Sequence, residues 1–253
     1  MRTLVTGGAG FIGSNLVDLL VKKGHQVIVL DNLITGRKIN LNHHKKSKVK
    51  VVKIDISSSK KLEKYFKNVD YVFHLAGLAD IVPSIENPNK YFKSNVIGTF
   101  NVLQASKKAK IKKFVYAASA SCYGFPKKFP IKENDKIDPM YPYAFTKWQA
   151  EELVMHWFKI YNFPAISFRF FNAYGPRSRT SGAYGAVLGV FFAQKLANKP
   201  LTIVGNGNQT RDFIHVYDLV NAIFLASKKK NLKREIFNLG SGKETSVNKI
   251  AKI

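Results

Sequence analysis

The stretch RTLVTGGAGFIGSNLVDLL, residues 2–20, constrains this chain more than any other. An apolar and β-branched run, Leu4, Val5 and Thr6, enters glycines at 7, 8, 10 and 13, and an apolar helical pattern follows at once. Gly7, Gly10 and Gly13 are spaced G-x-x-G-x-x-G, and Gly8, Gly10 and Gly13 also read G-x-G-x-x-G. Glycine there lets a strand turn tightly into a helix and removes the Cβ that would hold backbone away from a pyrophosphate. The helix start then turns unpaired N–H groups and the positive end of its dipole towards the phosphates. The spacing alone is a weak signal; the strand before it and the helix after it give it meaning.

The next strand, QVIVL at 26–30, runs into Asp31. A carboxylate there accepts from both hydroxyls of an adenine ribose and repels a 2′-phosphate, which favours NAD over NADP, with Arg37 as the one opposing signal. Asp55-Ile56 closes a third strand, where Asp55 can accept from an adenine amino group and Ile56 can pack on the ring. Strand candidates at 2–6, 26–30, 49–54, 70–74, 113–118, 165–170 and 235–239 alternate with helix candidates at 11–23, 60–67, 89–108, 143–160, 186–197 and 216–227. Short apolar strands between helices read as βαβ units, hence an α/β fold with a doubly wound parallel sheet of Rossmann type. Residues 1–170 form the dinucleotide-binding core in this reading. Residues 171–253 supply a small substrate lobe, interleaved with the last Rossmann elements at 215–240. A loop at 172–185 (NAYGPRSRTSGAYG) shows no strong periodicity. The last residues, SGKETSVNKIAKI, read as the start of a helix capped by Ser246 or Asn248, so the lobe is expected to be incomplete.

At 45% hydrophobic residues, the 253-residue chain can bury a sizeable core. Its net charge of +25 raises a nucleic-acid reading, but 34 lysines stand against 7 arginines and are dispersed. Lysine-rich surfaces are usually solvated faces, whereas phosphate-clamping and base-reading surfaces favour arginine forks. Arg169, Arg177, Arg179 and Arg211 fall within 43 residues, which points to an anionic substrate instead. The single cysteine, Cys122, cannot make an internal disulfide and fits a reducing cytoplasm. Neither a signal peptide nor an apolar run of membrane length is recognisable. No metal site is expected.

YPYAFTK places Tyr143 and Lys147 at i, i+4, on one face of a helix. An ammonium beside a phenol favours the phenolate, and oxidising a sugar hydroxyl needs such a base while hydride leaves carbon. The spacing recurs at Tyr123 and Lys127, but Pro126 between them breaks the helix face. Ser119 ends the strand at 113–118, at the sheet edge where ligands bind in such folds, and its hydroxyl can bridge substrate and Tyr143.

At these residues the sequence resembles the extended short-chain dehydrogenase/reductase family, in its NAD-dependent nucleotide-sugar epimerase/dehydratase branch. TGGAGFIGSNLVD, DNL at 31–33, DI at 55–56, HLAG at 74–77, SNVIGTFNVL, ASASCYG, YPYAFTK, RFFNAYGPR and QTRDFIHVYDLVNAI carry the resemblance, in order over nearly the whole chain. It implies NAD held by Gly7, Gly10, Phe11, Ile12, Gly13, Asp31, Asn32, Asp55, Ile56, Leu75, Ala76, Gly77, Asn95, Tyr143 and Lys147. It implies a nucleotide-diphosphate sugar touched by Ser84, Ser119, Tyr143, Asn172, Arg177 and Arg211, with Arg211 at the diphosphate. Arginine forks suit phosphate oxygens. The family's dehydratases carry an Asp-Glu pair after the serine; here Ala120 and Ser121 stand there, and neither can act as an acid. The pattern is therefore similar to the C4 epimerases, in which a 4-keto sugar forms, turns over and receives hydride on its other face. A dehydrogenase, reductase or other-position epimerase on the same scaffold remains the alternative, as does a silent NAD- or RNA-binding protein. The resemblance also implies a homodimer through the helices at 89–108 and 143–160. There Phe92, Val96, Phe100 and Leu103 face either a partner or the sheet.

Overall fold

The computed structural model describes residues 1–58, 62–179, 187–232 and 235–253. Seven parallel strands form the main sheet: β1 (Arg2–Thr6), β2 (Gln26–Asp31), β3 (Val49–Lys53), β4 (Tyr71–His74), β5 (Lys113–Ser119), β6 (Ala165–Phe170) and β9 (Glu235–Leu239). Their spatial order is β3-β2-β1-β4-β5-β6-β9. The order reverses between β1 and β4, and the carboxyl ends of strands at such a reversal flank a crevice.

The strands are apolar on both faces because both faces are covered. Leu4, Ile28, Leu30, Val72, Phe114 and Tyr116 pack with Val102, Leu103, Ala150, Val154 and Trp157. Their strand neighbours Val5, Val27, Val29, Phe73 and Val115 pack on the other side with Leu16, Val17, Leu20, Leu219, Val220 and Ile223. Successive side chains thus alternate between two cores, as a period of two requires. The first core is roofed by α5 (Gly98–Lys108) and α6 (Pro142–Tyr161), the second by α1 (Phe11–Lys22) and α8 (Val216–Lys228).

The helix expected over 89–108 is not continuous. It comprises α4 (Pro88–Tyr91), a π-helical stretch at Phe92–Ile97, and α5. Of its four candidate interface residues, Val96 and Leu103 are buried, whereas Phe92 and Phe100 remain exposed. Of the segment 60–67, residues 59–61 lie outside those described, and α2 spans Glu63–Phe66.

A second sheet, absent from the expectation, has the order β10-β8-β7, with β7 (Asn172–Tyr174), β8 (Thr210–His215) and β10 (Glu244–Ser246). The loop expected at 172–185 therefore begins with a strand, because Asn172–Tyr174 pair in parallel with Phe213–His215. Residues 180–186 of that loop lie outside those described. Two further helices, α7 (Val187–Leu196) and α9 (Val247–Lys252), flank this sheet in sequence. Ser246 caps α9, its hydroxyl accepting from the Lys249 amide at 3.2 Å. No helix among the described residues is long and apolar enough to cross a membrane.

Candidate active site

The turn from β1 into α1 is compressed against its neighbours. Gly7 has φ +68°, and a Cβ there would stand 2.7 Å from the Ala76 amide nitrogen beyond β4. A Cβ on Gly13 would run into the Gly7 carbonyl. Gly10 is the N-cap of α1 and supplies no capping side chain, so no side chain occupies the helix start. Such a start, with a backbone cradle that side chains would fill, fits a pyrophosphate. Phe11 and Ile12, half-buried, anchor the helix start on the second core.

Asp31 is buried at the end of β2. Its carboxylate accepts from the amides of Ala9 (2.9 Å) and Leu33 (2.8 Å), which fixes the acid beside the glycine turn. The side chains of Asn32 and Asp55 are hydrogen-bonded, bringing the ends of β2 and β3 together. Burial pushes the Asp55 carboxyl up, but hydrogen bonds from Ser57 and Asn32 and the charge of Lys93 outweigh it and hold the group below its usual range. Ile56, expected at the adenine, is buried. Its side chain lies in the first core, where a Cβ on Gly98 would stand 2.9 Å from its Cδ1, so it has no exposed face for an adenine. Asp55 is the side chain left at that strand end.

Leu75, Ala76 and Gly77 lead away from β4, with the Leu75 and Ala76 amides donating to the carbonyl and hydroxyl of Thr6. A Cβ on Gly77 would stand 2.9 Å from Asn95 Oδ1 and 3.7 Å from Lys147 Nζ. The glycine thus marks the meeting of the dinucleotide edge and the catalytic helix. Asn95 is buried in the π-helical stretch, accepts from the Leu78 amide (2.8 Å), and donates to Leu78 O and Thr146 Oγ1 (both 3.1 Å). Behind it, Thr99 Oγ1 donates to Asn95 O, and His74 joins Thr99 (2.8 Å) to Thr6 (2.6 Å). Burial, with the charge of Lys147, holds His74 down at about 3, so it stays neutral at the centre of this chain.

Ser119 and Tyr143 come together, with Lys147 one turn further along α6. Ser119 is the last residue of β5; its hydroxyl lies 2.8 Å from that of Ser121, and both serines hydrogen-bond the Tyr143 phenol. Burial nevertheless raises the Tyr143 phenol above its ordinary range, outweighing the two serines. Lys147 donates to Ala117 O, with Nζ 4.5 Å from the Tyr116 ring centre. Burial brings Lys147 down to about 7, opposed by Glu151 one turn further along α6. Glu151 is itself buried and tied to Arg169 at 2.6 Å and Ser167 at 2.7 Å.

Ser84, expected at the substrate, has another place. It is wholly buried; its hydroxyl donates to Ile81 O (2.5 Å) and accepts from the Tyr143 amide (3.1 Å). With these two bonds the hydroxyl supports the backbone of Tyr143 at the start of α6. Arg177 is likewise diverted, bound to Asp18 on α1, and Arg179 pairs with Asp80 at 2.8 Å. Of the four clustered arginines, only Arg211 pairs with no acid among the described residues; its guanidinium donates to Thr210 O. It sits on β8 next to Asp212, whose carbonyl accepts from Asn172 on β7, so Arg211 and Asn172 share the small sheet. The residues that sequence reasoning missed are Ser121, Thr146, His74 and Thr99. Ser121 lay inside a quoted motif but was read only for the acid it is not.

The family model for the NAD dependent epimerase/dehydratase family matches residues 3–240. A putative UDP-glucose 4-epimerase of Methanocaldococcus jannaschii is 42% identical over 249 residues, 98% of this chain and 79% of the relative. The UDP-glucose 4-epimerase of Thermotoga maritima, solved with UDP-glucose, superposes with a TM-score of 0.93 at 36% identity, covering all of this chain and 81% of that one. The Thermus thermophilus UDP-glucose 4-epimerase, solved with NAD, superposes with a TM-score of 0.90 at 31% identity, covering 100% and 81%. A glycine cradle, a fixed acid at the second strand and a serine–tyrosine–lysine group at the sheet's edge, matched over nearly the whole length, leave one conclusion: the chain belongs to the NAD dependent epimerase/dehydratase family.

Proposed function

We propose that this protein interconverts the C4 epimers of a UDP-linked hexose or N-acetylhexosamine with NAD as its resident cofactor. The observation that carries the reading is the Ser119–Ser121–Tyr143 hydrogen-bonded group beside Lys147. No carboxylic acid follows Ser119, where a dehydratase would need one. Gly7, Gly10, Gly13, Asp31, Asp55, Gly77, Asn95 and Lys147 would hold the dinucleotide, which would supply reversible hydride exchange with C4. Tyr143, oriented by the two serine hydroxyls, would take the proton of the C4 hydroxyl as the phenolate, a form that the positive charge of bound NAD would favour, and give it back after the sugar has turned. Ser119 bridges the sugar oxygen and the phenol. Arg211 and Asn172 on the small sheet grip the diphosphate and sugar, so residues 171–253 serve as the substrate lobe around the last Rossmann elements. The exposed apolar face of α4, the π-helical stretch, α5 and α6 pairs with a second copy. A lone buried cysteine and a sugar-nucleotide substrate support the reading of a cytoplasmic enzyme.

The test is proton NMR of the purified protein with NAD and, in separate tubes, UDP-glucose, UDP-galactose and UDP-N-acetylglucosamine. A second anomeric signal growing to a fixed ratio, with no lasting reduction of the cofactor, is the expected result, and Tyr143→Phe abolishes it. Stoichiometric reduction of the cofactor would instead mean a dehydrogenase.

A further inference from the structure

On the outer side of α1, three side chains outside the site just described come together. His43 Nε2 lies 2.9 Å and His44 Nε2 2.7 Å from the same oxygen, Oδ1 of Asp18. The two rings stand 4.0 Å apart, centre to centre. The ligand atoms of all three residues lie within 4.8 Å of one another. The other carboxylate oxygen, Oδ2, is held by Arg177. The histidines follow the 3-10 turn Lys38–Leu41, 25 and 26 residues from Asp18, so no local motif announces the cluster.

We propose that Asp18, His43 and His44 form a binding site for one divalent transition-metal ion of the Zn2+ class. Two imidazole nitrogens and one carboxylate oxygen suit zinc, nickel, cobalt or copper rather than magnesium or calcium. Three protein ligands leave positions for water, and the exposures agree: His44 is nearly buried, whereas His43 is about half exposed and opens the site to solvent. Without metal, both Nε2 atoms are within hydrogen-bond reach of Oδ1. On binding, each ring keeps its one hydrogen on Nδ1, and the two Nε2 lone pairs and Oδ1 turn to the ion. Arg177 fixes the carboxylate from behind, as partners of ligating groups do. Its own charge weakens the site relative to an all-thiolate one.

The ion would act as a staple. Asp18 belongs to the helix that starts at the glycine turn, His43 and His44 to the segment following the Asp31 strand, and Arg177 to the chain leaving β7. Asn15, one turn before Asp18, already donates to Pro176 O at 3.0 Å. A metal on Asp18, His43 and His44 would therefore clamp the dinucleotide-binding helix to the segment after the Asp31 strand, beside the existing Arg177 tie, and raise thermal stability without touching the chemistry.

The test uses tag-free, chelator-treated full-length protein with NAD bound and Zn2+ alone as the probe. Equilibrium dialysis should return one Zn2+ per chain and a higher Tm. His43→Gln/His44→Gln should keep the metal-free Tm and epimerase activity but bind Zn2+ more than about tenfold more weakly, since even outer-shell losses cost that much. Cobalt should give visible absorption in the wild type and none in the double variant. Equal zinc binding by wild type and double variant would overturn the site, assigning the metal to other surface groups. So would no binding by either.

Discussion

Lys147 is a cation held where charge is costly. Its neighbours are the Ala117 carbonyl, the Tyr116 ring and, a turn away, a glutamate already bound to Arg169. Burial brings it from 10.5 to about 7. Between those values the unfolded chain holds a proton that the folded chain lacks, so folding stability contributed at this site rises with pH over that window. Lys147→Met removes the penalty. Metal-free, cofactor-free protein should gain stability from the substitution at about pH 7, by at most a few kcal/mol, since each tenfold change in proton affinity is worth about 1.36 kcal/mol. The gain should vanish towards about pH 10, where the lysine is neutral in the folded chain and nearing neutrality in the unfolded one. Denaturant melts of both proteins across that range check it; a gain independent of pH would mean that packing, not titration, is responsible. Turnover should be lost at every pH. The i, i+4 spacing of Tyr143 and Lys147 was legible because a helix periodicity fixes which residues share a face. The partner of Lys147 was not, since burial and a backbone carbonyl on β5 decide it.

At the scale of elements, α6 begins without a cap of its own. Tyr141 is its N-cap and makes no side-chain hydrogen bond; Pro142 occupies the first position. The second amide, that of Tyr143, is taken by Ser84, 59 residues earlier and on α3 (Ile81–Glu86). An N-cap hydroxyl normally accepts from that position, so Ser84 performs a cap's work from a different segment. Ser84→Ala should cost about 1 kcal/mol, within the usual range for lost caps. Because the amide belongs to the catalytic tyrosine, it should also lower kcat while leaving KM close to wild type. A raised KM with unchanged kcat would return Ser84 to the substrate, where the family resemblance put it. Sequence reasoning could not see this bond: caps are recognised by adjacency, and this one arrives through tertiary packing. The same holds for Ile56, which packs inward because Gly98 on α5 leaves it room, and for the strands of the small sheet. β7 and β10 are three residues each and carry no readable alternation. The main strands were legible because burial on both faces demands continuous apolar runs bounded by turns.

For the whole molecule, the exposed apolar surface is unevenly placed. Phe92 (43%), Ile97 (39%), Phe100 (37%) and Phe145 (44%) keep much of their area in solvent along the outer side of the π-helical stretch, α5 and α6. Phe92 and Phe145 also line a shallow groove with Pro88, Met140, Tyr141 and Pro142. A lysine-rich chain with net charge +25 has polar side chains enough to cover such a face, and leaves this one apolar. Contiguous apolar patches of this kind mark association surfaces. A two-fold pairing would set each helix pair against its own copy, so every substitution acts twice. Phe92→Glu/Phe100→Glu puts four carboxylates into that contact, and like charges brought together cost several kcal/mol. The dimer Kd should rise at least about a hundredfold, at about 1.4 kcal/mol per tenfold. Both side chains are exposed in the single chain, so its fold and melting under dilute conditions should be close to wild type. Analytical ultracentrifugation of both proteins over a concentration series decides the matter. A wild type that sediments as a dimer and a variant that sediments as a monomer establish the face. If the wild type is a monomer throughout, or the variant dimerises as tightly, the pairing surface is not here. Tyr143 opens one of these helices, so the monomeric variant's kcat also measures how far the partner's packing steadies the catalytic group.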